Sequence, residues 1–276
     1  MIRQTLATLA MLAALAAPAL AGPYADSVVY YDRGDLAVGD YDNPNVTLGS
    51  PSRTTAAWPV GQESTTMLVT PWEASQVCKI GNDGQLVVSF SGPVENDAAN
   101  PFGLDLLVFM NAGFGSADWP ANQHLTDPAF IYGGQLGRLS VSQDNATWFE
   151  AADLGLVFPT QGYRSGAANA YAAGFAPTDF TRPVDPSLTV DDFSGLSLTQ
   201  ALALYGRSGG GLGVDLSNLL DSQGQAASLD WIRYVKIEGQ TNAVDGFSDV
   251  AVPEPASMAL LAMGLSAMVV RRRKAR

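Results

Sequence analysis

Between residues 22 and 252 the apolar residues come in short or alternating runs, cut every few positions by Gly, Pro, Asn or Asp. Helical periodicity is scarce. With 28 glycines and 16 prolines in 276 residues, few stretches stay uninterrupted long enough for a helix. The pattern predicts strands joined by turns, hence an all-β fold. Ser27–Tyr31 reads as a first strand. Gly81-Asn-Asp-Gly84 is a turn that leads into a strand over Gln85–Phe90, with a break at Ser91-Gly-Pro93. Leu104–Met110 is apolar apart from Asp105, which places it in a core. Leu139–Ser142 and Thr147–Ala151 flank Gln143-Asp-Asn-Ala146 as a hairpin. Trp231–Glu238 is a further strand, expected to put Trp231, Val235 and Ile237 on one face and Lys236 and Glu238 on the other. One helix stands out, Ser197 to Tyr205, where Ser197 and Gln200 form a capping box and Gly206 supplies a stop. Two long irregular stretches, about 111–137 and 159–195, are expected to be functional or disordered, with mobility the default around Tyr163–Phe180. No repeat or long linker divides the chain. A single β-sandwich with elaborated loops is the simplest architecture.

The two ends differ from this middle. Met1-Ile-Arg3 is a short basic start, Leu6 to Leu20 is apolar, and Ala19-Leu20-Ala21 is an A-x-A cleavage site before Gly22. Residues 1–21 therefore read as a secretory signal peptide for the Sec translocon. The other end reads Val252-Pro253-Glu254-Pro255-Ala256-Ser257, an apolar run of 13 residues from Met258 to Val270, and then Arg271-Arg272-Arg273-Lys274-Ala275-Arg276. A helix of this length spans roughly 20 Å, short of the roughly 30 Å of a hydrocarbon core. Snorkelling of the basic residues and local thinning make up the difference, so residues 256–270 are expected to anchor weakly in the inner membrane with the Arg-rich end in the cytoplasm. A core helix would not be apolar all round and then end in five basic residues of six. The prolines flanking Glu254 favour an extended segment open to a processing enzyme.

This proline–acid–proline segment, apolar helix and basic end resemble the PEP-CTERM sorting signal of Gram-negative bacteria. The resemblance implies recognition by an exosortase-type enzyme, cleavage at or near Pro253-Glu254-Pro255, and release to the cell surface or extracellular matrix. It also implies a setting of exopolysaccharide and biofilm. The expected organisation is a signal peptide over 1–21, an ectodomain over 22–251 and a sorting signal over 252–276.

Between Gly22 and Val252 there are 9 basic and 26 acidic residues, a net charge of −17. Nucleic acid and anionic membrane surfaces are poor partners for such a surface. Of the acids, 21 are Asp and 5 are Glu. Asp suits turns and also serves as a hard-oxygen ligand, so calcium and plain solubility are both open readings. Cys78 is the single cysteine, so no intramolecular disulfide forms, and its expected place is a buried apolar site. His124 is the single histidine, which excludes multi-His metal sites.

Further motifs are similar to a recurring type of bacterial secreted or cell-surface ectodomain. They are Thr47-Leu-Gly-Ser-Pro51, Ile80-Gly-Asn-Asp-Gly-Gln-Leu-Val-Val-Ser-Phe90, Phe102-Gly-Leu-Asp-Leu-Leu-Val-Phe-Met-Asn111 and Leu139-Ser-Val-Ser-Gln-Asp-Asn-Ala-Thr-Trp148, with echoes at Gly213–Ser217 and Asp245–Val250. The resemblance implies a jelly-roll-like β-sandwich, so the expected fold is all-β, a single jelly-roll-like β-sandwich with the long loops and one short helix read above. Met110 stands where that pattern has Glu, and Asn145-Ala146 replaces Asp-Gly.

Asp105, Asn111, Asp245 and Asp249 are candidate calcium ligands at one rim of the sandwich. The alternative for Asp105 is a loop staple that accepts backbone N–H bonds. Asp32, Asp35, Asp40, Asp42, Asn43 and Asn45 form a second acidic cluster without the EF-hand's glycine and glutamate. Gly209-Gly-Gly-Leu-Gly213 has neither P-loop nor dinucleotide spacing and reads as a flexible turn. Among loop aromatics (Trp58, Trp72, Trp119, Trp148, Tyr163, Tyr171), Trp119 is the leading candidate for stacking on sugar rings, because it lies between Asp118 and Pro120 in a long polar loop. No catalytic residue is assigned and no cofactor is required. The leading expectation is a non-enzymatic surface or matrix protein with a structural or adhesive role that binds exopolysaccharide. The alternatives are a hydrolase with two loop carboxylates and a calcium- or small-ligand-binding module.

Overall fold

The structure, a computed structural model, describes residues 22–36, 39–57, 61–164 and 176–250. The signal-peptide residues Ala19 and Ala21, the sorting residues Pro253, Glu254, Pro255, Arg271, Arg272 and Arg273, and the aromatics Trp58 and Tyr171 lie outside these. Gly22 is described and exposed. Among the described residues no helix is long and apolar enough to cross a membrane.

Fifteen strands are described, β1 (Ser27–Asp32), β2 (Thr54–Ala57), β3 (Gly61–Ser64), β4 (Cys78–Ile80), β5 (Gln85–Glu95), β6 (Leu106–Met110), β7 (Ala112–Phe114), β8 (Ile131–Gly133), β9 (Arg138–Ser142), β10 (Phe149–Ala151), β11 (Leu212–Val214), β12 (Leu219–Leu220), β13 (Ala226–Ala227), β14 (Trp231–Glu238) and β15 (Thr241–Asp249). The larger sheet runs β1-β5-β14-β9-β10-β12-β13 and the smaller β11-β6-β15-β4, with two-stranded ribbons β2-β3 and β7-β8 outside them. Let β4, β5, β6, β9, β10, β11, β14 and β15 be one to eight along the chain; the sheets then read 2-7-4-5 and 6-3-8-1. Every sequential pair except the β9–β10 hairpin crosses between sheets, which is jelly-roll topology. β1 and the β12–β13 hairpin extend the edges of the larger sheet.

The main core lies between the two sheets. Leu86 and Val88 of β5, Leu139 and Val141 of β9, and Ile232, Val235 and Ile237 of β14 face Leu106, Val108 and Met110 of β6 with Val244 and Phe247 of β15. All five residues of β6 are buried, because Leu107 and Phe109 on its other face pack against Phe180 and Val250. This double burial explains why the segment reads as continuously apolar. Met110, which stands where the resembling pattern has Glu, is core.

β5 and β14 depart from the pattern their sequences suggest. β5 does not stop at Ser91-Gly-Pro93 but continues to Glu95. Ser89 pairs with Tyr234 while Val94 pairs with Ile232, so the intervening residues form an irregularity that accommodates Pro93 without an interior ladder bond. The same irregularity flips the alternation of β14. Ile232, not Trp231, joins Val235 and Ile237 in the core, and Trp231 is half-buried.

The stretches expected to be irregular build a second core. α1 (Leu198–Tyr205) buries Leu198, Ala201, Leu202 and Tyr205, the i, i+3, i+4, i+7 stripe of an amphipathic helix. This stripe packs against Met67, Phe114, Leu125, Phe158 and Phe193. Phe114 stacks on Phe193 at 4.7 Å, and Tyr205 meets the edges of Phe158 and Phe193 at 6.0 Å each. The capping box is present, with Ser197 Oγ accepting from Gln200 N. Ser197→Ala is expected to cost about 1 kcal/mol in a denaturant melt.

The glycine run at 209–213 is packed rather than a flexible turn. A Cβ on Gly209 would lie 2.1 Å from the Phe180 ring, and one on Gly210 (φ +89°) would lie 2.3 Å from the Pro159 carbonyl. Phe180 is itself fixed by Phe109 at 5.3 Å and by the Arg53 guanidinium over its ring at 4.2 Å. The end of the 159–195 stretch is therefore anchored. Residues 165–175 lie outside the described residues.

Candidate functional site

A cleft of about 450 Å³ opens beyond the C-terminal end of β6. The β2–β3 ribbon, the segment following it, β8 and the 118–122 loop enclose it. Its apolar walls are Trp72, Trp119 and Tyr132, and its polar groups include Glu63, Thr70, Asn111 and Asn122. The three rings are 47%, 69% and 42% exposed, unusual for such large apolar groups.

Each wall has an identifiable support. Trp72 Nε1 donates to Ala56 O at 2.8 Å, and Tyr41 Oη donates to Trp72 O at 2.9 Å, so this ring is oriented by hydrogen bonds at both ends of the residue. The hydroxyl end of Tyr132 lies over Gly113, where a Cβ would come within 2.4 Å of it, while the ring keeps an open face. Burial of that hydroxyl raises its pKa, and a bond with Thr70 works against the rise. Thr70 Oγ1 donates to Asn111 Oδ1 at 3.2 Å, fixing the amide that closes β6. Trp119 is held through its loop: Asp118 accepts from Gln123 N at 2.9 Å and His124 N at 3.1 Å, and meets His124 Nδ1 at 2.9 Å.

Glu63 sits on β3 opposite Thr55 and is only 5% exposed. Its Oε2 has no hydrogen-bond partner, and neither has Oδ1 of Asn122, which is 3% exposed. Burial without a compensating cation pushes the Glu63 carboxyl up to about 7. Two buried oxygens on residues lining an aromatic cleft thus have no donor from the protein. Among the described lining residues Glu63 is the one carboxylate.

The four candidate calcium residues do not gather. Asp105 and Asn111 bracket β6 at its opposite ends, and Asn111 belongs to the aromatic cleft. Asp245 lies midway along β15, fully engaged by Ser52, whose Oγ donates at 2.7 Å and whose N–H donates at 3.0 Å. Asp249 pairs in register with Leu106 and is near Asp105 and Glu95. Among the described residues no group of three or more His, Cys, Asp or Glu side chains is arranged to hold a metal ion. Asp105 takes the staple role, accepting from Asp97 N at 3.1 Å, Asn100 Nδ2 at 2.8 Å and Leu216 N at 3.0 Å. In the other acidic cluster, Asn43 caps the short 3₁₀ turn Pro44–Thr47 by accepting from Asn45 N at 3.1 Å, and Asp42 meets Arg33 at 3.5 Å on the surface.

Other expectations resolve simply. Cys78 is fully buried in β4, where burial raises its thiol to about 11, so it is a core residue and poorly nucleophilic. Trp148 lies beneath the Lys236 ammonium at 4.6 Å, and Tyr163 makes an isolated bridge with Pro177. Glu63, Asn122 and Tyr132 were not singled out by sequence. A carboxylate near the end of a four-residue strand carries no signal of burial until the fold is known.

The PEP-CTERM protein-sorting motif matches residues 251–274 of the chain. No curated protein matches it. The motif implies processing by an exosortase-type enzyme, and with it export and a transient membrane-anchored state before surface or extracellular location. The match leaves the ectodomain's activity to its own geometry.

Proposed function

We propose that the exported ectodomain is a saccharide-binding module of the cell surface or extracellular matrix, and that its adhesive or structural role runs through the Trp72–Trp119–Tyr132 cleft. The observation that carries this reading is one cleft holding three exposed aromatic faces and two buried, unpartnered acceptors. Sugar rings present apolar C–H faces that stack on such side chains and hydroxyls that donate to such acceptors. The supports of Trp72 and Tyr132 set their rings before a ligand arrives, which lowers the ordering cost of binding.

The hydrolase reading draws less support. Glycoside cleavage ordinarily uses a pair of carboxyl groups across the scissile bond. Glu63 has no second carboxylate among the described residues of the cleft.

The test is binding of the full chain, in detergent, to the producing cells' own exopolysaccharide, in calcium and in EDTA. Saturable binding is expected. Trp119→Ala should weaken it by about tenfold, since a central aromatic typically carries a large share of the affinity. At 69% exposure the change should move stability by no more than about 0.5 kcal/mol. Undiminished affinity in both Trp119→Ala and Trp72→Ala would overturn the assignment. Loss of binding in EDTA would bring calcium back as an organising ion.

A further inference from the structure

We infer that the cleft takes a protonated amine, so that the saccharide it recognises is an amino sugar bearing free ammonium groups. This rests on the saccharide reading above and names its chemical class.

The argument starts from what Glu63 lacks. Its carboxyl is almost wholly enclosed and its Oε2 has no donor. No Lys or Arg is among the described residues that line the cleft. A buried carboxylate normally persists beside a cation or several donors. The rise of its pKa to about 7 is the direction expected of an acid whose counter-charge is missing. Asn122 adds a second acceptor without a partner. The missing complement is therefore positive and rich in N–H donors.

The walls point the same way. Trp, Tyr and a carboxylate around one space are the elements that attract an ammonium group, through ring quadrupole and charge together. A neutral hydroxyl meets the acceptors but leaves the charge uncompensated. A uronate or phosphorylated sugar would bring an anion to Glu63 and to an exported region whose net charge is −17.

A matched pair of ligands isolates the ammonium. Glucosamine hexamer and N-acetylglucosamine hexamer share a backbone and differ only in charged amine against neutral acetamide; oligogalacturonate supplies the anionic arm. Calorimetry of the full chain in detergent, near pH 7 so that Glu63 is substantially ionised while the oligosaccharide still carries ammonium groups, is expected to show the glucosamine hexamer bound about tenfold or more tighter than its acetylated counterpart. Oligogalacturonate should not compete. Glu63→Gln preserves shape and one acceptor oxygen but removes the charge, and should erase the preference, whereas Trp119→Ala should weaken both hexamers together. Equal or tighter binding of the acetylated hexamer overturns the inference and leaves the saccharide reading standing. So does a preference that survives in Glu63→Gln, since it would come from overall acidity. Failure of the glucosamine hexamer to bind overturns the inference as well, and the saccharide reading falls with it only if the producers' exopolysaccharide also fails to bind.

Discussion

The protein is expected to melt at a higher temperature near pH 5 than at pH 8. Three enclosed carboxyls lead this, and Asp105, whose pKa burial also raises, adds to it with the same sign. Burial lifts Asp245 to about 6 and Glu63 to about 7, and burial together with Asp105 and Glu95 lifts Asp249 to about 7. An acid whose folded pKa lies above its unfolded value favours folding when protonated. That stability is complete below the ordinary carboxylate range and is lost as pH rises through 6 and 7. Each group contributes on the order of 1–3 kcal/mol, with the smaller end for half-buried Asp249 because solvent screens it. For a domain of this size the sum is a fall of about 10 °C between pH 5 and pH 8. The opposite sign belongs to Asp118 and Asp144, both held at about 2 by hydrogen bonds from neighbouring groups. Their contribution is present at neutral pH and is lost only toward pH 2. The stability maximum is therefore expected between about pH 4 and 5.

A pH series of thermal melts checks the sign, and two variants check the cause. Glu63→Gln and Asp249→Asn should each flatten the alkaline limb, with Asp249→Asn raising the melting temperature at pH 8. A wild-type protein more stable at pH 8 than at pH 5 would contradict the assignment. The same series examines the candidate calcium role. An ion bridging Asp105 and Asp249 would pull both acids down and restore stability at pH 8, so melts in calcium and in EDTA would separate on the alkaline side alone.

Much of the scaffold was legible, and particular residues show why. Ser197 with Gln200, followed by Gly206, fixes a helix from chemistry within ten positions, and α1 follows it. The bounds of β14 are legible because apolar alternation ends in charged and glycine residues. Long-range pairing escapes such local signals. Pro93 reads as a break, yet β5 carries it in an irregularity opposite β14, and the same irregularity moves Ile232 rather than Trp231 inward. Trp119 announced itself because a large ring between Asp and Pro in a polar loop has no local reason to be buried. Glu63 had no comparable signal. Its importance depends on Trp72, Tyr132 and Asn122 arriving from three separate segments. The aromatic packing of Phe114, Phe158, Phe193 and Tyr205 is non-local in the same way, which is why stretches that look irregular in one dimension form a second core in three.

Asp105 shows the difference between a ligand and a staple, and its substitution has the other large expected effect. It is fully buried just before β6 and joins three segments through its two oxygens. One oxygen holds Asp97 N and the Asn100 side chain, and the other holds Leu216 N. Asp105→Ala would leave all three donors unmet in the interior and is expected to cost about 3–5 kcal/mol. Asp105→Asn keeps the shape but replaces one acceptor by an NH₂ donor, which must face either Leu216 N or the Asp97–Asn100 pair. A loss of about 2 kcal/mol is expected, intermediate between wild type and alanine. Denaturant unfolding at pH 5, where Asp249 is protonated, measures both without the charge repulsion between the two acids. A calcium ligand would behave otherwise: EDTA would reproduce the loss in the wild-type protein, and Asn, which offers a metal a carbonyl oxygen, would be nearly as good as Asp. The staple requires two acceptors aimed in different directions at N–H groups, a demand that carboxylate geometry meets and an amide does not. The expected ranking of Asp over Asn over Ala, unaffected by EDTA, follows from that geometry alone.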